Sequence, residues 1–77
     1  HRSYIAEGEM MSKILDALHA HALGNIGLHK ANIEIYLKNP AGIGEHSDVL
    51  EAVQSEFDKM AVHQDRLELI EMMQHEC

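Results

Sequence analysis

The segment Asn-Pro-Ala-Gly-Ile-Gly, residues 39–44, constrains the fold of this chain more than any other feature. It separates two long runs in which apolar residues recur every three or four positions, the spacing typical of amphipathic helices. Pro40 ends the first helix, because it cannot donate a backbone hydrogen bond and disfavours the helical conformation at Asn39. Gly42 and Gly44 then allow the chain to reverse. The predicted turn residues are therefore Asn39, Pro40, Gly42 and Gly44.

The two runs predict an all-α fold, an antiparallel two-helix hairpin. The first helix is expected over about residues 12–38, the turn over residues 39–46 and the second helix over about residues 47–75, all within one domain of residues 12–77. Asp48, with Glu51 three residues later, fits a capping box at the start of the second helix. Residues 1–11 carry no sustained period, and we expect a disordered or frayed extension there.

The width of the apolar stripes predicts self-association. A chain of this size seldom builds a core worth more than roughly 3–5 kcal/mol, and each stripe is wider than one neighbouring helix covers. We therefore expect the hairpin to dimerise into a four-helix bundle. Gly24 and Gly27 each cost a helix about 1 kcal/mol relative to alanine, which predicts that another helix approaches them closely. The predicted core or self-association residues are Leu15, Leu18, Ala22, Ile26, Ile33, Leu37, Val53, Phe57, Met60, Leu67 and Ile70.

The net charge of -7 lies wholly in the second half of the chain. Acids and bases balance through Ile43, whereas the acids beyond Gly44 face only Lys59 and Arg66. Such a surface repels polyanions, so we expect no binding to nucleic acid. The predicted acidic face consists of Glu51, Glu56, Asp58, Asp65 and Glu68. Besides being a solvated surface, it suggests an alternative function, an acidic binding module or inhibitor that docks on a basic site of another protein.

The hydropathy pattern and the cysteine content bear on the compartment. No apolar run approaches the roughly 20 residues that span a bilayer, so we expect no membrane contact. The single cysteine, Cys77, is the last residue, which leaves no internal disulfide to form. Together these features favour a cytoplasmic protein.

Seven histidines raise the question of a metal site. Asp16 and His19 lie one helical turn apart, as do Glu71 and His75, and a hairpin would place the first pair roughly level with residues 65–71. A metal-binding helical bundle on these four residues is a weaker alternative. No recognised zinc or di-iron motif is present, and we expect neither a metal nor another cofactor.

The chain offers no catalytic constellation. Its candidate hydroxyls, Ser12, Ser47 and Ser55, occupy positions that helix caps or helix surfaces explain, and the two glycines of the turn match no nucleotide-binding fingerprint. We therefore expect that the protein is not an enzyme.

The segment Tyr-Leu-Lys-Asn-Pro-Ala-Gly-Ile-Gly-Glu-His-Ser-Asp-Val, residues 36–49, together with the acidic helix that follows through Ile70, resembles short uncharacterised helical proteins of marine bacteriophages and ocean metagenomes. The resemblance covers about residues 31–70 and is most distinctive at Asn-Pro-x-Gly-x-Gly-Glu-His. It carries over no functional residue. It implies a phage accessory or assembly protein that is made in the host cytoplasm and can be incorporated into the virion. The predicted function is a small non-enzymatic self-associating module.

Overall fold

The computed structural model describes residues 2–39 and 46–76, with the side chains of residues 8–39 and 48–76. The described chain forms two helices, α1 (Arg2–Lys38) and α2 (His46–Glu76), which pack against each other. The pair is a narrow rod of 62 × 15 × 13 Å. In the described ranges neither helix combines the length and the apolar character that crossing a bilayer requires.

The helix boundaries agree with the sequence prediction at the turn and differ from it at the beginning. α1 ends at Lys38, and the Asn39 N–H still donates to the Ile35 carbonyl over 3.0 Å. Pro40, Gly42 and Gly44 lie outside the described residues. α1 begins at Arg2, so the expected helix start near Ser12 is wrong. The weak periodicity of the first residues misled the prediction, because backbone hydrogen bonds propagate a helix even where no apolar stripe continues.

The two helices meet along one line of residues that we call the inner seam. Its members recur every three or four positions on each helix, as in a coiled coil, and all are buried or half-buried. On α1 they are Leu15, His19, Ala22, Ile26, His29, Ile33 and Tyr36, and on α2 they are Val49, Val53, Glu56, Met60, His63, Leu67, Ile70 and Gln74. The apolar centre of the seam is the cluster of Ala22, Leu67 and Ile70, which Leu15 and Ile26 flank.

The predicted core residues divide into three groups. Ala22, Ile33, Leu67 and Ile70 are buried. Leu15, Ile26, Val53 and Met60 are half-buried in the inner seam. Leu18, Leu37 and Phe57 are exposed in the single chain, so they do not belong to a core within one hairpin, and their role in self-association stays a prediction. A two-helix hairpin has one line of contact, and these three side chains lie beside that line, where the second helix does not cover them.

The helical glycines of α1 do not contact α2. A Cβ atom built on Gly24 or Gly27 would meet nothing within 4 Å. The close approach predicted at these glycines therefore does not occur between the two helices of one chain.

Candidate functional site

Glu56 is the centre of a polar cluster inside the otherwise apolar inner seam. Only 5% of its surface is exposed, although it carries a carboxylate. The Asn32 amide donates to Oε1 over 2.5 Å, and His29 Nδ1 lies 3.2 Å from Oε2. Lys59 Nζ approaches Oε2 at 3.8 Å from the solvent side. The carboxylate is thus held by two hydrogen bonds from α1 and by one cation of its own helix.

These partners keep Glu56 ionised. The hydrogen bond from Asn32 holds the pKa of the Glu56 carboxyl below its ordinary value of 4.5, although burial acts in the opposite direction. The hydrogen bond from His29 and the charge of Lys59 lower this pKa further. Since an ionised carboxylate only accepts hydrogen bonds, His29 donates through Nδ1–H, which fixes its tautomer when the ring is neutral. A buried carboxylate whose partners come from the opposite helix ties α1 to α2.

Three imidazoles continue the polar cluster from Glu56 to the edge of the hairpin. The His63 ring stacks on His29 with 5.9 Å between ring centroids and 18° between planes. On its other side it meets His21 edge-on, with centroids 6.2 Å apart and planes at 69°. Nδ1 of His63 is buried and has no hydrogen-bond partner among the residues that the structure describes. His21 is exposed, and Asn25 donates to its backbone carbonyl over 2.9 Å and lies 3.3 Å from its Nε2. The polar cluster, defined as Glu56, Asn32, His29, His63 and His21, therefore runs from the seam to the surface.

His63 is the member of this cluster that resists protonation. Burial lowers the pKa of its imidazole below the ordinary value of 6.5, and the nearby charges of Arg66, His29 and His21 add to the effect. At neutral pH the ring is therefore uncharged. Acid places a proton on a group that the fold prefers neutral, and this destabilises the packed hairpin.

The residues considered for a metal site pair in a different way. His19 Nε2 lies 3.0 Å from Glu71 Oε2, so the hairpin does bring these two level with each other. Asp16 instead accepts a hydrogen bond of 2.9 Å from Gln74, and His75 is exposed. Among the described side chains, no group of three or more histidines, cysteines, aspartates or glutamates is arranged to hold a metal ion. His19 and Glu71 form a surface ion pair when the histidine is protonated.

A groove opens where the first part of α1 passes the end of α2. It brings the Ser12 hydroxyl to the same region as the Asp16 carboxylate and the Gln74 amide, and its lining is Gly8, Met11, Ser12, Leu15, Asp16 and Gln74. No histidine belongs to this lining. Activation of the serine would require a base within hydrogen-bond reach.

The acidic face is smaller than the sequence indicated. Glu51, Asp58, Asp65 and Glu68 are exposed on α2, as expected. The assignment of Glu56 to this face is wrong, because it lies in phase with the buried residues of the inner seam and points at α1. Glu56 was placed outside because charged residues are almost never fully buried unless they are paired, and here the pairing is with α1.

A second line of residues runs along α1 outside the hairpin, and we call it the outer stripe. It consists of Met10, Ile14, Ala17, His21, Gly24, Leu28, Ala31 and Ile35, which again recur every three or four positions. Every member is exposed, and the exposed fractions of Met10 and Ile35 reach 62% and 61%. α1 thus carries two coiled-coil-like lines, of which α2 covers only one.

Other large apolar side chains are also open to solvent in the single chain. Besides those of the outer stripe, they are Met11, Leu18, Leu23, Leu37, Leu50, Phe57, Val62, Leu69, Met72 and Met73. The chain exposes 6014 Å². A compact monomer of this mass exposes about 4,700 Å², so the hairpin leaves roughly 1,300 Å² more surface open than a globular chain does.

Sequence reasoning missed both the polar cluster and the outer stripe. The signal for both was the position of each residue in the repeating three-and-four spacing along the helix. Stepping by alternating intervals of three and four from Leu15 reaches His29, and the same steps from Val53 reach Glu56 and His63. An equal walk from Ile14 reaches Leu28 and Ile35 but none of the inner seam. Counting positions at these intervals, whatever residue occupies them, separates the inner seam from the outer stripe.

No family model, curated protein or solved structure matches this chain.

Proposed function

We propose that the protein is a small self-associating helical module whose hairpin pairs with a second copy to form a four-helix bundle. The observation that supports this function is the exposed apolar surface of the single hairpin. The total surface, polar and apolar together, exceeds that of a compact monomer by roughly 1,300 Å², and this excess is larger than the approximately 800 Å² that each partner buries in a standard protein interface. A second hairpin therefore has enough surface to cover without any change of fold.

Energetics favour the same conclusion. Within one chain, the buried apolar residues among those described are Ala22, Ile33, Leu67 and Ile70. A core of this size contributes little against the conformational entropy of ordering two long helices. Pairing buries a second set of apolar side chains at about 25 cal/mol per Å², which makes folding and association mutually dependent.

The biological role that fits such a module is structural. In this role the dimer scaffolds or decorates a larger assembly. The resemblance to marine bacteriophage proteins suggests the context, namely a phage accessory protein in the host cytoplasm or in the virion. Under this proposal the residues of the two helices serve assembly and carry out no catalysis.

Solution mass measured across a dilution series tests the function. Light scattering or sedimentation equilibrium on the full chain should give twice the chain mass at high concentration, and helical circular dichroism should decrease together with mass on dilution. A monomer that stays fully helical at every concentration would refute self-association.

A monomeric result would favour the second candidate function, an acidic module that docks on a basic protein. The observation behind it is the exposed acidic face of α2, namely Glu51, Asp58, Asp65 and Glu68. Binding through these groups weakens as salt screens the charges, so capture of a basic partner at low but not at high ionic strength distinguishes it.

A further inference from the structure

We propose that the outer stripe of α1 is the dimer surface and that it pairs with the outer stripe of a second copy in antiparallel orientation. Because the outer stripe lies on the side of α1 that faces away from α2, the two α1 helices lie at the centre and each α2 lies outside them, which gives the proposed four-helix bundle an open, row-like form. This inference rests on the proposed self-association and adds the surface, the orientation and the alignment. Its basis is the exposure of the whole stripe, its unbroken spacing and the area that the single hairpin leaves uncovered.

The stripe alternates between two kinds of side chain. One set of positions holds the large residues Ile14, His21, Leu28 and Ile35, which follow one another at intervals of seven. The other set holds Met10 and then the small residues Ala17, Gly24 and Ala31, again at intervals of seven. In an antiparallel pair of helices each position of one set faces a position of the other set across the interface, so large side chains meet small ones.

In one alignment of the two antiparallel outer stripes, every position of one stripe faces a position of the other. Ile14 of one protomer packs on Ala31 of the other, and Leu28 packs on Ala17. The two-fold axis repeats each contact with the protomers exchanged, as a self-complementary interface requires. Ile35 then meets Met10, so both ends of the stripe are covered by apolar contacts.

At the middle of the interface His21 lies opposite Gly24 of the other protomer, at the outer end of its contact with His63 of its own chain. A Cβ atom on Gly24 would meet nothing within 4 Å in the single hairpin, so the intrachain fold gives no reason for a glycine there. The dimer supplies one, because the space above Gly24 accommodates the imidazole. Asn25 donates to the backbone carbonyl of His21 and lies 3.3 Å from Nε2 of its ring, which leaves this polar residue satisfied at the interface.

Leucine substitution at the two glycines tests the surface. Gly24→Leu fills the space for His21 and should raise the dimer dissociation constant at least about tenfold, a change of 1.4 kcal/mol. Gly27→Leu is the matched control, since Gly27 lies on α1 outside both the inner seam and the outer stripe and is equally open in the single hairpin. It changes helix propensity by the same amount and should leave the dimer at least as stable as the original. Equal dissociation constants for the two variants would overturn the assignment of the surface.

Spin labels test the orientation. In a Cys77→Ser background, a label is placed at the exposed position Ala20 in one protein and Glu34 in another, and pulsed electron resonance measures the distance between protomers. With a rise of 1.5 Å per residue and neighbouring axes about 10 Å apart, antiparallel pairing separates the two copies of residue 20 by about 13 Å and the two copies of residue 34 by about 36 Å, measured between the helix axes.

The outcomes separate this inference from the proposed function. A short distance at residue 20, near about 13 Å, together with a long one at residue 34, near about 36 Å, supports the antiparallel outer stripe. Similar distances at both positions indicate parallel pairing and overturn the inference, while self-association stands. Monomeric mass with no distance between protomers removes both.

Discussion

Truncation of Leu67 measures how much the inner seam contributes to stability. Leu67 is 7% exposed and packs in the cluster with Ala22 and Ile70. Leu67→Ala removes three carbon groups, worth about 2.4 kcal/mol at 0.8 kcal/mol each, and the cavity left behind brings the expected loss to about 2.5–4 kcal/mol. Leu50→Ala makes the same chemical change on the same helix at a side chain that is 60% exposed, and it should cost less than about 0.5 kcal/mol.

Thermal unfolding followed by circular dichroism at one fixed protein concentration provides the assay. Leu67→Ala should lower the midpoint by at least about 10 °C, since 1 kcal/mol corresponds to roughly 4–8 °C in a domain of this size. Leu50→Ala should leave the midpoint within a few degrees of the original. Equal losses of stability in the two variants would show that Leu67 is no better buried than Leu50, and the packing described here would be incorrect.

Three further predictions concern the polar cluster and α1. Glu56→Ala leaves Asn32 and His29 without their acceptor, so its thermal midpoint should fall by several degrees, while exposed Glu51→Ala changes little; equal midpoints would contradict the buried hydrogen bonds. His63 has its pKa below 6.5 and Glu56 below 4.5 in the folded chain, so the unfolded chain binds protons first: stability should fall as pH drops below 6.5 and again below 4.5. Melts at pH 7.5 and 5.5 should show that His63→Phe removes most of the first loss and that His75→Phe, at an exposed position, does not; an unchanged loss in His63→Phe would assign it to another group. Gly27→Ala meets open space on a helix and should raise stability by about 1 kcal/mol in urea titration, and a decrease would reveal a contact at Gly27.

The fold was predictable because its signals are local. Pro40 and the three-or-four spacing of apolar residues depend on neighbours in sequence, and they place the end of α1 and the extent of α2 correctly. The beginning of α1 was not predictable in this way, because the first residues show no sustained apolar spacing, whereas backbone hydrogen bonds propagate a helix without one. Local rules locate where a helix must stop better than where it may extend.

The polar cluster was harder to predict because its residues lie on different helices. Among the described side chains of α2, Glu56 has Lys59 as its only partner, and its burial becomes favourable only when α2 lies against Asn32 and His29. Composition suggested an exposed carboxylate, whereas the heptad phase pointed to the seam. Phe57, the next residue, shows the reverse: its large apolar side chain suggested burial, but its phase places it outside the seam. At both positions the place in the helical repeat, and not the residue type, decided whether the side chain is buried.

The inner seam repeats every seven residues on both helices, and repetition makes sliding possible. Moving α2 along α1 by one repeat again brings mainly apolar positions together, so hydrophobic burial alone distinguishes the native arrangement from its neighbours only weakly. Glu56 does distinguish them. One repeat in one direction sets it against Ala22 and Asn25, and one repeat in the other sets it against Tyr36 and Asn39, so either shift keeps an asparagine nearby but takes away the hydrogen bond from His29. Among the described residues, this carboxylate sets the register of the two helices. The apolar side chains hold the helices together, and Glu56 selects which of several similar alignments they adopt.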